Sequence, residues 1–295
     1  MSLLNRRRFL AISACAVSSV AGPSSAAPAE WRGIALGAQS SLKISGLSQA
    51  EAEGVFAEIK AELDRLEKIF SLYHDSELTR LNREGTLAAP APELLEVLGL
   101  ADQLHRASDG AFDPTVQVLW NAHATGGDLT KAAALVRWSD VSFDTQAVTF
   151  ARPGMALTLN GIAQGAITDC IAALLVARGL RNVLIDMGEI VALGERETGA
   201  PWRVGVITPD GTLVRKLTLK DRALATSAPD GFRLPDGASH ILNPQGGAPV
   251  QALASIAAPS AALADGLSTA ACLMTPEKTE KMVEQFAGAE VVSTI

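Results

Sequence analysis

The sequence predicts an α+β protein in which a mixed sheet is flanked by helices. Apolar residues recur at helical spacing through the first half of the chain, and short strand-like runs separated by turns dominate from residue 141 onward. No internal repeat and no long linker separates the two parts. Because both parts must then share one core, we expect a single domain over residues 27–295.

Four helices are expected in the first half. Ser48-Gln49-Ala50-Glu51 matches a capping box, and the apolar periodicity that follows it runs to Phe70. A second helix follows Pro92, a third follows Asp113-Pro114, and a fourth covers residues 131–138.

The second half is predicted to hold most of the strands. An early strand covers residues 31–44 with an interruption at Gly37, and the others are residues 141–143, 147–150, 156–159, 183–185, 203–207, 214–219 and 253–257. An alanine-rich helix spans residues 163–177 with Gly179 as its stop, and the last helices start at Ser260 and Pro276.

The charge balance argues against a nucleic-acid partner. The chain has 25 Lys and Arg against 32 Asp and Glu, a net charge of −7, and only 4% aromatic residues. An acidic surface repels a phosphate backbone, and few aromatic rings are present to stack on bases.

The first 26 residues are predicted to be a twin-arginine export signal. Asn5 to Leu10 contains three consecutive arginines, residues 9–21 are apolar, and Ser24-Ser25-Ala26 supplies small residues for cleavage. The apolar stretch is too short to span a bilayer, so a periplasmic mature chain without a transmembrane segment is expected. The alternative is a lipoprotein anchored through Cys15, because Ile12-Ser13-Ala14-Cys15 resembles a lipoprotein cleavage box.

Asp265 and Thr269 are candidate ligands of a metal ion. They lie four residues apart in a predicted helix, so a carboxylate and a hydroxyl share one face. Mg²⁺ prefers oxygen ligands, usually one or two carboxylates with waters and substrate phosphates. The alternative is a solvated Asp and a Thr bonded to a backbone carbonyl.

Three other segments could carry chemistry. Asp113 is placed to cap the helix after Pro114, and it could also accept hydrogen bonds from an adenine or ribose. The segment 159–165 reads as a strand, a glycine turn and a helix start, where backbone groups can face a phosphate or a metal. His240 lies on a predicted short strand before a turn, from which an imidazole could reach a cleft or fill a structural role.

In this order and at these separations, the segments resemble the ApbE family of FAD:protein FMN transferases. Ser71-Leu72-Tyr73 and residues 76–82 add a fifth motif, and the resemblance runs from about Leu36 to Ala271. It implies a T-fold-like α+β architecture with FAD in a cleft and Mg²⁺ at the FAD pyrophosphate.

The resemblance also implies roles for individual residues. Asp265 and Thr269, with the backbone oxygen of Ala163, are the implied metal ligands. His240 is the implied catalytic residue. The implied cofactor-binding positions are Leu36, Asp113, Gln164, Thr226, Ser227 and His240, with Asp113 at the AMP half and Thr226-Ser227 near the flavin.

Several positions depart from the family pattern. Leu36-Gly37-Ala38 stands for Met-Gly-Thr, residues 158–161 stand for Asp-Leu-Gly-Gly, Gln164 stands for Lys, Ala228 for Gly, and Gly188-Glu189 for paired glycines. With the export signal, these departures are similar to the NosX-type branch, whose target is a flavoprotein that supports nitrous oxide reductase.

The implied reaction is Mg²⁺-dependent transfer of FMN from FAD to a Thr or Ser hydroxyl of an acceptor flavoprotein, with release of AMP. Two alternatives remain open. Water in place of the acceptor would make the protein an FAD pyrophosphatase, and absence of turnover would make it a periplasmic flavin carrier.

The leader gives a direct prediction. Replacing Arg6 and Arg7 by Lys should retain the precursor in the cytoplasm, because the export machinery reads the paired arginines. Cell fractionation with immunoblotting measures this. Unchanged periplasmic yield would contradict the assignment, and a lipid on Cys15 in the mass spectrum would establish the alternative anchor.

Overall fold

The computed structural model describes residues 15–16, 28–35 and 37–295. The predicted export signal lies outside these residues except for the backbone of Cys15–Ala16, and so does Leu36. Within the described part of the chain, no helix combines the length and the apolar character needed to cross a bilayer.

A seven-stranded antiparallel sheet forms the centre of the fold. Its order is β13-β12-β11-β8-β7-β3-β2. The strands are β2 Ala29–Ala35, β3 Ala38–Ile44, β7 Val183–Asp186, β8 Ile190–Leu193, β11 Arg222–Ser227, β12 Ala254–Ala258 and β13 Glu290–Thr294.

Two three-stranded antiparallel sheets accompany it. One has the order β1-β9-β10, with β1 Cys15–Ala16, β9 Trp202–Ile207 and β10 Leu213–Leu219. The other has the order β4-β6-β5, with β4 Thr86–Ala88, β5 Val141–Phe143 and β6 Ala147–Phe150.

Eight helices are present among the described residues, and the longest begins where the sequence predicts. Ser48 and Glu51 form the expected capping box, and the helix ends at Phe70 with Ser71 as its C-cap. The helices are α1 Gln49–Phe70, α2 Glu77–Glu84, α3 Pro92–Ala107, α4 Gln117–Thr125, α5 Leu129–Ala133, α6 Ala163–Ala177, α7 Ala261–Ala271 and α8 Pro276–Val283.

The central sheet buries both of its faces, so the fold has layers. Val183 and Ile185 of β7 point into the main core, which the helices share, whereas Leu184 between them packs with Trp202 and Val204 of β9. Because successive side chains of β7 point to opposite faces of the sheet, the strand contributes to two separate hydrophobic cores. The predicted α+β class with flanking helices is confirmed.

Helices α6 and α7 pack unusually closely. A Cβ on Gly165 would lie 2.3 Å from the carbonyl oxygen of Ala261, and one on Gly161 would lie 2.9 Å from Cγ2 of Thr269. Gly161, just before α6, meets Thr269 near the end of α7, whereas Gly165 within α6 meets Ala261 at the start of α7. The two helices therefore run antiparallel. Glycine at both positions allows the backbone approach.

Some predicted elements are wrong. Residues 156–159 form no strand, because Leu157 exchanges both backbone hydrogen bonds with the Asn82 side chain, at 2.7 and 2.8 Å. The helix predicted over residues 131–138 ends at Ala133. His240 lies in a bend, not on a strand. Helix α2 and strands β4, β8, β11 and β13 were not predicted.

The α6–α7 contact gives a stability prediction. Gly165→Ala should lower the free energy of unfolding by about 3 kcal/mol, because the new methyl overlaps backbone that cannot move away cheaply. Urea denaturation followed by circular dichroism measures this.

Gly99 in α3 is the matched control, because a Cβ there meets open space. Gly99→Ala should raise the free energy of unfolding by about 0.5–1 kcal/mol through helix propensity. Equal effects at the two positions would contradict the proposed close contact.

Candidate active site

A cleft of about 1040 Å³, which includes space open to solvent, lies beside the α6–α7 pair. Six regions that are far apart in the chain line it, and they fall within residues 111–120, 158–164, 188–189, 226–228, 240–244 and 265–273. The cleft therefore forms only when the whole domain is folded.

Asp265 points its carboxylate at the start of α6. The residue is 4% exposed, and its Oδ2 accepts a hydrogen bond of 3.2 Å from the backbone N–H of Gly165. Burial, followed by the charge of Asp169, raises the pKa of Asp265 to about 7, although the Gly165 hydrogen bond opposes the shift. The solvated alternative is wrong, and this carboxylate would gain from a nearby cation.

Asp169 makes the reciprocal contact from α6. Its two carboxylate oxygens accept hydrogen bonds from the backbone N–H groups of Ala261 and Ala262, at 2.8 and 2.9 Å. Each of the two helices thus receives a carboxylate from the other at its N-terminal turn, where the helix dipole favours negative charge. This pairing fixes the position of Asp265.

Thr269 lies one turn after Asp265 and lines the same cleft. Its hydroxyl is 3.3 Å from Oγ of Ser227, which also bonds Oγ of Ser268 at 2.8 Å. Thr226 also lines the cleft, and its hydroxyl bonds Ser255 of β12 at 2.9 Å. The end of β11 is therefore tied to the helix that carries Asp265.

Asp113 fulfils its predicted structural role. Its Oδ1 accepts hydrogen bonds from the Thr115 N–H at 2.8 Å and the Thr115 hydroxyl at 2.6 Å, which caps the short 3₁₀ helix Pro114–Val116. Burial raises the pKa of Asp113, and the Thr115 hydrogen bonds oppose this rise. The residue lines the cleft, and its contact with the AMP half stays a prediction.

His240 lines the cleft with a defined tautomer. Its Nδ1 lies 3.1 Å from the carbonyl oxygen of Pro229 and 3.0 Å from that of Phe232. Since carbonyls only accept, Nδ1 carries the proton and Nε2 is the basic nitrogen. Burial lowers the pKa of His240, against the effect of these hydrogen bonds, so the ring is neutral near pH 7.

Gln164 has a structural contact that the sequence did not indicate. It is buried on the cleft wall, and its Nε2 donates to the carbonyl oxygen of Met187 at 2.5 Å. Its amide also fills the space that a side chain at Gly188 would need. Gln164 therefore supports the turn from Met187 to Glu189, and its contact with FAD stays a prediction.

Ala163 is the buried first residue of α6 and does not itself line the cleft. Its predicted role as a carbonyl ligand stays a prediction. Leu36, the remaining predicted flavin contact, lies outside the described residues.

Glu189 is a cleft residue that sequence reasoning registered only as a departure from the family pattern. It is 7% exposed, and its Oε2 has no hydrogen-bond partner among the described residues. Burial, and then the charges of Asp265 and Asp186, raises the pKa of Glu189 well above its usual value. An acidic residue between two apolar strands was the signal that could have singled it out.

The residues present fit a magnesium ion. Among the described residues, no three His, Cys, Asp or Glu side chains converge as a complete metal cage. Asp265 and Thr269 instead offer one carboxylate and one hydroxyl, and Glu189, which has an unpartnered carboxylate oxygen, lines the same cleft. Mg²⁺ suits such a partial set, because substrate phosphates and waters usually complete its shell.

A cleft that combines a buried carboxylate, a hydroxyl one helical turn away and a neutral histidine is typical of an enzyme active site. The ApbE family profile matches residues 36–293, and the chain belongs to this family. It is an enzyme of the flavin transferase type.

Curated relatives and solved structures agree with this assignment. The FAD:protein FMN transferase of Treponema pallidum is 31% identical over 82% of this chain and 77% of the relative, and that of Klebsiella pneumoniae is 25% identical over 83% and 78%. The structure of the flavin transferase ApbE from Vibrio cholerae is similar, with a TM-score of 0.79 and 26% identity over 90% of this chain and 93% of that one.

Asp186, at the end of β7, is a half-buried acid that does not line the cleft. Its Oδ1 has no hydrogen-bond partner among the described residues. Burial raises its pKa from 3.8 to about 6, although Gly188 and Lys43 oppose the rise. An acid whose pKa is raised on folding binds its proton more tightly in the folded state, so it lowers stability as pH rises from 3.8 through 6.

Asp186→Asn should therefore stabilise the protein by about 2–3 kcal/mol at pH 8, since each pKa unit corresponds to about 1.4 kcal/mol. The advantage should shrink toward zero below pH 4, where both forms are uncharged. Urea unfolding of the two proteins at pH 4 and pH 8 measures the difference. A difference independent of pH would show that the charge of Asp186 is not the cause.

Proposed function

We propose that the protein transfers FMN from FAD to a Thr or Ser hydroxyl of an acceptor flavoprotein, with Mg²⁺ as cofactor and AMP as the second product. The main support is that one cleft brings together Asp265, Thr269 and His240, three residues that the family resemblance assigns to this reaction. The names of the relatives support the flavin and the protein acceptor.

Asp265 and Thr269 would hold the cation, and the carbonyl of Ala163 is the third ligand in this proposal. When bound, Mg²⁺ neutralises negative charge on a pyrophosphate and polarises it. The protein's contribution is position. The hydrogen bond that Gly165 N–H donates orients the Asp265 carboxylate, and the hydrogen bond that Ala261 N–H donates to Asp169 orients the helix that carries Asp265.

His240 would act as the general base. Its Nε2 would accept the proton from the acceptor hydroxyl while the hydroxyl oxygen forms a bond to the phosphorus of the FMN half. The phosphorus–oxygen bond to AMP then breaks, and AMP leaves. Two backbone carbonyls hold Nδ1–H and fix the ring, and a lowered pKa keeps the base unprotonated near neutral pH.

The rest of the cleft would bind the ends of FAD. In this proposal Asp113 contacts the AMP half and Thr226-Ser227 contacts the flavin, while Gln164 and Leu36 remain further predicted contacts to FAD. Asp113 lines the cleft, as do Thr226 and Ser227 at the end of β11. Hydrogen bonds with Thr115, Ser255 and Ser268 hold these side chains in place.

We also propose that the mature protein works in the periplasm. The twin-arginine leader and the departures from the family pattern support an acceptor flavoprotein that serves nitrous oxide reductase maturation. Such a flavoprotein is the first acceptor to test.

Incubation of the mature protein with FAD, Mg²⁺ and an acceptor with an exposed Thr should give acceptor carrying FMN through a phosphoester, with one AMP per transfer. His240→Ala should slow transfer by about 10²- to 10⁴-fold, the usual effect of losing a positioned base. Mass spectrometry of the acceptor and chromatography of AMP measure both products.

His123 provides the matched control. It pairs with Asp236 at 2.6 Å and does not line the cleft, so His123→Ala should keep the wild-type rate. AMP release without an acceptor would identify a pyrophosphatase. Tight FAD binding with no AMP from several Thr-bearing acceptors would identify a carrier and overturn the transferase proposal.

A further inference from the structure

Glu189 has an environment that a buried carboxylate does not normally tolerate. It occupies the tight turn between β7 and β8, where Gly188 adopts a φ of 98° and the Met187 N–H bonds the Glu189 carbonyl at 3.1 Å. Its side chain borders the cleft, and its Oε2 is buried without a hydrogen-bond partner among the described residues. A hydrogen bond from the Thr226 N–H supports the carboxylate.

The turn that carries Glu189 is anchored at the same place as Asp265. Gln164 donates to Met187 in that turn, and the next residue, Gly165, donates to the Asp265 carboxylate. Gln164 and Gly165, both in the first turn of α6, thus hold the turn that carries Glu189 and the helix that carries Asp265. The Gln164 side chain and the Gly165 backbone N–H therefore hold both acidic segments at the start of α6.

The charges around these two carboxylates do not balance. The ion pairs among the described residues include neither Glu189 nor Asp265. Asp186 and Asp169 add further acidic groups nearby. Buried charges are normally paired or bound to a metal, since an isolated buried carboxylate is expensive. A divalent cation would supply the missing positive charge.

We propose that Glu189 is a second carboxylate of the cation site, which holds the divalent ion together with Asp265. This inference rests on the proposed function, because it needs the same cation at the same cleft. It adds a residue to the ligand set of Asp265, Thr269 and Ala163. One or two carboxylates are the usual protein contribution to a Mg²⁺ site that also contacts substrate phosphates.

The test measures binding rather than turnover. Mg²⁺ is titrated into metal-free mature protein at pH 8 with a fixed concentration of FAD and no acceptor, and flavin fluorescence reports bound FAD. In Glu189→Gln, the Mg²⁺ concentration for half-maximal FAD binding should rise at least tenfold. Gln has nearly the shape of Glu, so only the charge is removed.

Asp186→Asn is the matched control for nearby charge alone, because Asp186 acts on Glu189 only through space and does not line the cleft. Its Mg²⁺ midpoint should rise by less than about threefold, well short of the shift in Glu189→Gln. A wild-type midpoint in Glu189→Gln, or an equal shift in both variants, would overturn the proposal.

If circular dichroism shows that Glu189→Gln does not fold, a second variant replaces it. Glu189→Asp keeps the charge but withdraws the carboxylate by one methylene, and its midpoint should also rise. An unchanged midpoint in Glu189→Asp would overturn the proposal. If FAD binding by the wild type shows no Mg²⁺ dependence, the metal in the proposed function fails as well, whereas a failure confined to Glu189 leaves that function standing.

Discussion

The antiparallel contact between α6 and α7 is the interaction on which the rest of the structure depends. Glycines allow the two backbones to approach, and each helix then receives a carboxylate from the other at its N-terminal turn. The same contact closes one side of the cleft and orients Asp265. The contact that packs the two helices together also positions the Asp265 carboxylate. A change that loosens the helix pair would therefore displace this carboxylate.

This arrangement concentrates acidic groups where a folded protein rarely keeps them. Asp169 is satisfied by two backbone N–H groups, whereas Asp265 has one, and Glu189 keeps an oxygen without a partner. Stability alone would favour neutral side chains at the last two positions. Buried acids with strongly raised pKa values cluster at functional sites for this reason, and here Asp265 and Glu189 both line the cleft.

Local signals let the sequence predict much of this fold and part of the cleft. Ser48 with Glu51 and Ser260 mark helix starts through contacts within one turn, so these boundaries were confirmed. Strands β8 and β11 were missed because burial on both faces leaves no alternation to read. Segment 156–159 was misread because its backbone partner is Asn82, far along the chain. The burial of Asp265 depends on a distant helix in the same way.

The pairing of β3 with β7 has a consequence for synthesis of the chain. Ile44 pairs with Val183, so about 140 residues must be made before β3 meets its second neighbour; at about 5–20 residues per second, that wait is on the order of 10 s. During it, the hairpin of β2 and β3 exposes an open strand edge, which invites pairing with other nascent chains. The sequence of β3 is Ala-Gln-Ser-Ser-Leu-Lys-Ile, and its polar residues suit a strand whose edge is exposed to solvent until β7 has been synthesised.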